Sequence, residues 1–264
     1  MKHFEIGEEL TSFYSGFNYD SYEDYFRKII LGDSDPENVI LLEIDPHNQK
    51  TRIDFYLTVE NSGLSIVDIR DLVVKGNKFY YKKNGKKIPV ERIYNRVIFD
   101  ELERKNIEIN FDMHKDIDVT WLGHPNWFFK ISKHSLPMIK SKYAPKSFYL
   151  DQLNNYPDDL ENYVLKPLYS FAGSGVEVDV SLEMLSNIND KQNYILQEKV
   201  EYAPLINTPE GYSKAEIRLM YLWDDKPVLV NNLIRTGRGK MMGVDYNKGF
   251  NWIGASIGFF HYNS

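Results

Sequence analysis

The sequence predicts an α/β protein with α+β elements, organised as two domains, and three observations carry that expectation. Residues 38–44 (NVILLEI) and 64–69 (LSIVDI) are apolar runs of strand length, and residues 47–60 between them place Ile53, Tyr56, Leu57 and Glu60 at the helical interval. This is a strand–helix–strand unit of the kind that builds doubly wound parallel sheets. Residues 163–180 (YVLKPLYSFAGSGVEVDV) read as a strand, a glycine turn and a second, alternating strand. The chain has 264 residues, 42% of them hydrophobic, which is enough for two modest domains with a sizeable core.

Composition excludes several classes. There is no cysteine, which removes disulfide scaffolds, thiolate metal sites and cysteine nucleophiles. The net charge of -6 argues against a nucleic-acid surface but leaves room for a local basic pocket. The opening stretch, MKHFEIGEELTSFYSG, has no apolar signal core, and no run approaches the length of a membrane helix. The expectation is a soluble cytoplasmic protein with neither membrane nor nucleic acid as partner.

Taken in order, residues 8–31 space Leu10, Phe13, Tyr14, Phe17, Tyr22, Tyr25, Phe26, Ile29 and Ile30 as one or two helices, and Gly32 stops them. The strand at 38–44 ends at Asp45-Pro46, and Gly63 closes the helix at 47–60. Residues 73–89 (VVKGNKFYYKKNGKKIP) hold two hairpin signals, Gly76-Asn77 and Asn84-Gly85. The lysines of this stretch read as a solvated hairpin tip in preference to a phosphate-facing patch. Residues 92–96 (RIYNR) join a strand to a helix running through Glu103. Arg96 at that junction suits a substrate carboxylate, or equally a pairing with Glu91 or Asp100. Residues 116–121 (DIDVTW) read as a strand, residues 147–153 as a helix and residues 156–162 as a loop.

In the stretch at 163–180, Lys166 ends an apolar run, Pro167 forbids its regular continuation, and Ser170–Gly175 is small and flexible. Glycines let backbone N–H groups turn towards one anion, and Lys166 adds a positive charge at the base of the turn. The spacing is neither that of a P-loop nor that of a dinucleotide fingerprint, and taken alone it is also that of a plain Gly-Ser hairpin. Ser181 then reads as an N-cap of a short helix, and residues 194–200 (YILQEKV) as a strand ending in polar residues. Residues 214–223 (KAEIRLMYLW) alternate, so Glu216 and Arg218 point the same way. Their hairpin partner at 227–234 delivers Arg235, with Arg238 and Lys240 in the glycine-rich turn that follows. Clustered guanidinium groups suit the charge of a transferring phosphoryl group, and the bland reading is a set of solvated or Glu-paired ends. Residues 244–260 read as short strands.

The order strand–Lys166–Pro167, glycine turn, alternating strand resembles that of the ATP-grasp ligases. QKTRIDF (49–55), IVDIRDL (66–72) and RIYNR (92–96) resemble the preceding domain of circularly permuted members such as glutathionylspermidine synthetases. The resemblance runs from about residue 38 to 252. It implies an ATP-grasp-like fold, with an N-terminal helical segment and Rossmann-like pre-ATP-grasp domain over residues 1–112 and a nucleotide-binding domain over 113–264. It implies Lys133 and Lys166 on the ATP phosphates, Ser170, Gly173, Ser174 and Gly175 as a lid over them, and Gln197, Glu198, Lys199 and Val200 along the adenine. Arg218, Arg235 and Arg238 would neutralise an acyl-phosphate transition state. Asn126 and an upstream carboxylate, Asp112, Asp116 or Asp118, would hold Mg²⁺, and the sequence does not choose among the three. His124 stands where these ligases carry a glutamate, and imidazole is a poor ligand for that ion. The implied activity is ATP-dependent ligation of a small carboxylate to an amine through an acyl phosphate. The alternative is an inactive nucleotide-binding module of the same fold.

Overall fold

The computed structural model describes residues 7, 9–112, 115–170 and 173–262. They form two units, one of residues 13–125 with 220–231, the other of residues 126–219 and 232–262 with the described residues up to Ser12. The sequence reading places one boundary between 112 and 113, whereas the chain passes between units after residues 12, 125, 219 and 231. The N-terminal strand β1 (Leu10–Thr11) belongs to the second of these units.

The unit of residues 13–125 begins with α1 (Tyr19–Leu31). Helical spacing starts earlier in the sequence, but Asn18 fixes the start: its side chain accepts from Ser21 N–H and its own N–H donates to Ser21 Oγ, each at 2.9 Å. At the other end the Arg92 guanidinium donates to the carbonyls of Ile29 and Ile30, both at 3.0 Å, which satisfies helix-end acceptors. Strand β2 (Val39–Glu43) follows, buried at every position, then α2 (Arg52–Ser62) and β3 (Ser65–Asp68). The helix expected from residue 47 starts five residues later, because Pro46–Asn48 forms a separate 3₁₀ turn. Next come β4 (Val73–Lys75), β5 (Lys78–Lys83) and β6 (Lys86–Val90), an antiparallel meander turning at the two expected glycine signals. Both Asn84 and Gly85 have positive φ, 51° and 77°, as a tight hairpin turn requires. Then β7 (Arg92–Asn95), α3 (Phe99–Arg104) and β8 (Thr120–Leu122) complete a parallel sheet of order β3-β2-β7-β8. Ile40, Leu42, Val67 and Ile93 pack towards the meander, whereas Leu41 and Ile66 pack with Phe55 of α2. A strand buried on both faces explains why 38–44 is uniformly apolar. Arg96 lies 5.6 Å from the centroid of the Phe55 ring.

The other unit starts with α4 (Trp127–Lys130), then β9 (Ser147–Tyr149) and β10 (Tyr163–Pro167), α5 (Leu182–Ser186) and β11 (Tyr194–Glu198). These strands form an antiparallel sheet of order β10-β11-β9. The helix expected at 147–153 is instead β9 followed by a 3₁₀ turn, Leu150–Gln152. Pairing of Ser147, Phe148 and Tyr149 with Gln197, Leu196 and Ile195 overrides the local reading. The second strand expected at 176–180 is not formed as one. It makes a single bridge, in which Glu177 and Leu165 exchange both backbone hydrogen bonds at 2.9 Å. Beyond β11 lie β12 (Pro204–Thr208), β13 (Gly211–Trp223), β14 (Pro227–Gly237) and β15 (Gly254–Ser256), a second antiparallel sheet in that order. The last strand, β16 (Phe260–His261), pairs with β1. No helix among the described residues is long and apolar enough to cross a membrane.

Candidate functional site

Period-two alternation along β10 sorts its side chains. Tyr163 and Leu165 join Leu160, Val180, Leu185 and Leu196 in a closed core. Val164 and Lys166 therefore occupy the opposite face, and both line a cavity of about 1390 Å³. Register places Gln197 opposite Val164 on β10 and opposite Ser147 on β9, which brings all three to that same face. Lys166 Nζ donates to Gln197 Oε1, and Gln197 Nε2 donates to Ser147 Oγ at 2.7 Å. Gln197 is only 5% exposed, so this chain holds the lysine head in a fixed place. Burial, and then the nearby Lys133 ammonium, pushes the Lys166 pKa below the ordinary lysine range.

The cavity's other wall comes from β13 and β14. Lys214, Glu216 and Arg218 share one face of β13, and Arg235 arrives from β14. Glu216 Oε1 sits 2.6 Å from Arg218 Nε and 3.9 Å from Arg235 Nη1. Tyr202 Oη lies 3.3 Å from Glu216 Oε2, and burial followed by that carboxylate raises the phenol pKa. Lys240 pairs with Asp179 at 3.0 Å, and both line the cavity.

Three lysines of the cavity have no ion pair among the described residues. They are Lys166, bound to a neutral amide; Lys199, bound to the Glu161 carbonyl; and Lys214, bound to the Gly239 carbonyl at 3.2 Å. Two come from the β10-β11-β9 side and one from β13, so positive charge faces the cavity from both walls.

The other expected residues fall as follows. Gln197, Glu198, Lys199, Val200, Gly173, Arg218 and Arg235 line the cavity. Lys133 does not. Its Nζ donates to the Ser170 carbonyl at 2.9 Å and to Ser170 Oγ at 2.8 Å, and burial lowers its pKa. Ser170 is thus tied to the 3₁₀ turn Lys133–Met138. Phe171 and Ala172 of the glycine turn lie outside the described residues. Gly175 has φ 69°, and a Cβ there would stand 2.8 Å from Pro167 Cγ, so this position requires glycine. Ser174 is exposed and, like Gly175, is not part of the cavity wall.

Arg238 is not in the cavity wall either. Its guanidinium is bound by Thr208 Oγ1 at 2.6 Å, Ser213 Oγ at 3.3 Å and Glu210 Oε2 at 3.2 Å, and its N–H donates to Asn247 Oδ1. These bonds make it a brace for the β12–β13 turn. Asn126 belongs to one unit and caps α4; Asp112 belongs to the other, and its carbonyl accepts from Lys115 N–H at 3.2 Å. Among the described residues no three His, Asp or Glu side chains form a group that could hold a metal ion.

Sequence reasoning missed Lys214, Tyr202, Met241, Met242 and Tyr246, all in the cavity wall. Lys214 was within reach, since it is two residues from Glu216 on an alternating strand. The rest come from irregular segments that carry no periodic signal.

No protein-family model matches the sequence, and no curated protein does. Among solved structures the chain is similar to a glutathione synthetase-like effector from Globodera pallida in its apo form. The identity is 13% and the TM-score 0.51, over 81% of this chain and 58% of that one. The chain thus spans less than two thirds of that neighbour, and what the two share is a mixed α/β fold consistent with the ATP-grasp type.

Proposed function

We propose that the cavity between the β10-β11-β9 sheet and the β13–β14 wall binds ATP in the ATP-grasp manner, and that it serves ATP-dependent ligation of a carboxylate to an amine. The observation that carries this reading is the convergence of Lys166, Lys199 and Lys214 on one cavity with no carboxylate to neutralise them. Lys166 is half-buried without an ion pair, which is costly, and a polyphosphate supplies the missing charge. On this reading Lys166 and Lys214 hold phosphate oxygens, while the backbone of Glu198, Lys199 and Val200 lies along the adenine. Lys133 fixes the start of the glycine turn through Ser170. Arg218 and Arg235, once Glu216 yields, orient the acceptor carboxylate and take up charge as phosphoryl transfer proceeds. The unit of residues 13–125, with its parallel sheet, takes the part of the Rossmann-like domain that precedes such a site.

Magnesium is the ion such a reaction ordinarily employs. The cavity's carboxylates fit it poorly, because Glu216 is held by Arg218, Asp179 by Lys240 and Glu198 by Lys146, and no group of three suitable side chains, Asp159 and Glu201 included, occurs among the described residues. This donor set favours a second reading, an ATP-binding module that carries out no ligation. Calorimetry with ATP, together with phosphate release in the presence of amino acids and polyamines, separates the two. Binding with release supports the ligase, binding without release supports the module, and absence of binding refutes both.

A further inference from the structure

Strand β3 is an edge. It pairs with β2 on one side, and no described segment pairs with its other side. Alternate backbone N–H and C=O groups of a parallel strand point to the free side, so β3 presents a row of open donors and acceptors. The layers on its two faces bracket this edge. Ile66 packs on the α2 side and Val67 on the meander side. Between the layers runs a groove of about 860 Å³, walled by Val59 and Gly63 on one side and by Val73, Tyr81, Lys82 and Lys83 on the other, with Ser65, Ile66 and Val67 along it.

The charge of the meander is an independent observation. Its register sets Lys75 opposite Lys78, Lys82 opposite Lys87 and Lys83 opposite Lys86. Like charges placed directly across a strand pair oppose its formation. Among the described residues, Lys78 alone of these lysines has a carboxylate within 4.0 Å, that of Asp118, and the pair is exposed. Lys82 and Lys83 continue β5 beyond its pairing with β4, which ends at Tyr80, and pair only with β6. The result is a run of like-charged cross-strand pairs in an otherwise acidic chain.

We propose that this groove binds an extended, acidic segment of another protein by strand addition to β3. The open backbone edge matches a peptide main chain and has no counterpart in a nucleic acid. Val59 and Ile66 on one wall suit alternate apolar side chains, and Lys82 and Lys83 on the other suit the acidic ones. Four residues of β3 offer pairing over roughly 13 Å, so the recognised core is about four to six residues long.

The test uses the intact chain and three probes: acetyl-Glu-Val-Glu-Val-Glu-Val-amide, the same peptide with Lys in place of Glu, and the acidic peptide N-methylated at alternate residues. Hydrogen exchange is followed at Ser65–Asp68. The acidic peptide should slow exchange there, the lysine peptide should not, and N-methylation on the pairing edge should weaken binding at least tenfold. K82E/K83E should also weaken binding at least tenfold. It replaces two like-charged cross-strand pairs with opposite ones, so its melting temperature should be no lower than that of the wild type. Equal binding of the N-methylated peptide overturns strand addition. Binding without protection of β3 overturns the site. If an oligothymidylate binds in a K82E/K83E-sensitive way and the acidic peptide does not, the patch is a nucleic-acid surface and the proposal fails.

Discussion

Replacing Lys166 with alanine removes the ammonium that the Gln197–Ser147 chain holds in the cavity. A hydrogen bond to a charged group contributes about 1.5–3 kcal/mol. At about 1.4 kcal/mol per decade, ATP affinity should fall roughly tenfold to 150-fold. The substitution also leaves Gln197 Oε1 without its donor in a residue 5% exposed, at a cost of about 1–3 kcal/mol in stability. Lys166→Met, which restores most of the buried stem, controls for packing, and a melting curve shows whether each variant is folded. The pH dependence supplies a second readout. Burial, and then Lys133, depresses the pKa of Lys166 in the free protein, whereas bound phosphate favours the ammonium and raises it again. ATP binding should therefore take up protons, and affinity should fall as pH rises from the depressed value towards the ordinary lysine range. Stability of the free protein runs the other way. The folded pKa lies below the unfolded one, so the penalty is complete below the folded value and is relieved as pH rises through it. Calorimetry in buffers of different ionisation enthalpy measures the uptake. Unchanged affinity in a folded Lys166→Ala protein, or ATP binding with no proton uptake at any pH between neutrality and the ordinary lysine range, would refute the assignment of this lysine to the phosphates.

Three further outcomes are expected. Gly175→Ala should cost about 1–2 kcal/mol or more in denaturant unfolding, because alanine at that φ is strained and its Cβ meets Pro167; a neutral result would show that the turn relaxes freely. Glu216→Gln frees Arg218 and Arg235 from their partly exposed ion pairs, worth about 1 kcal/mol, so affinity for inorganic phosphate should rise about fivefold, and a loss would mean that Glu216 holds the arginines in their binding position. ATP affinity in the wild type should depend little on magnesium, and His124→Glu should add a magnesium-dependent component; strong dependence in the wild type would show that its own carboxylates complete the site.

The parallel sheet was legible because β2 is buried on both faces and leaves an unbroken apolar run, with α2 and β3 following at the expected periods. The meander was legible from Gly76-Asn77 and Asn84-Gly85. Where the reading departed, tertiary pairing decided. The segment at 147–153 became a strand because β11 offered it a partner, and that choice depends on residues some fifty positions away. Residues 176–180 kept only the Leu165–Glu177 bridge. In the candidate site, Lys166 was legible from its place between an apolar run and a glycine turn, Arg218 from an alternating strand, and Arg235 from the end of that strand's hairpin partner. Gln197 was expected to lie along the adenine; that its side chain holds Lys166, a diagonal contact across β10 and β11, appears only once register is known. Arg238 follows a glycine in a cation-rich turn, and nothing in that local pattern indicates that Thr208, Glu210 and Ser213 would bind it away from the cavity.

The pairing of β1 with β16 has a consequence for synthesis. Leu10 and Thr11 are synthesised some 250 residues before their partners His261 and Phe260. The same holds on a smaller scale for residues 13–125, whose unit also contains residues 220–231. Contacts this distant in sequence close slowly. An exposed β1 edge therefore persists while the intervening residues are made, a period in which chaperones, or the edge of another nascent chain, compete for it.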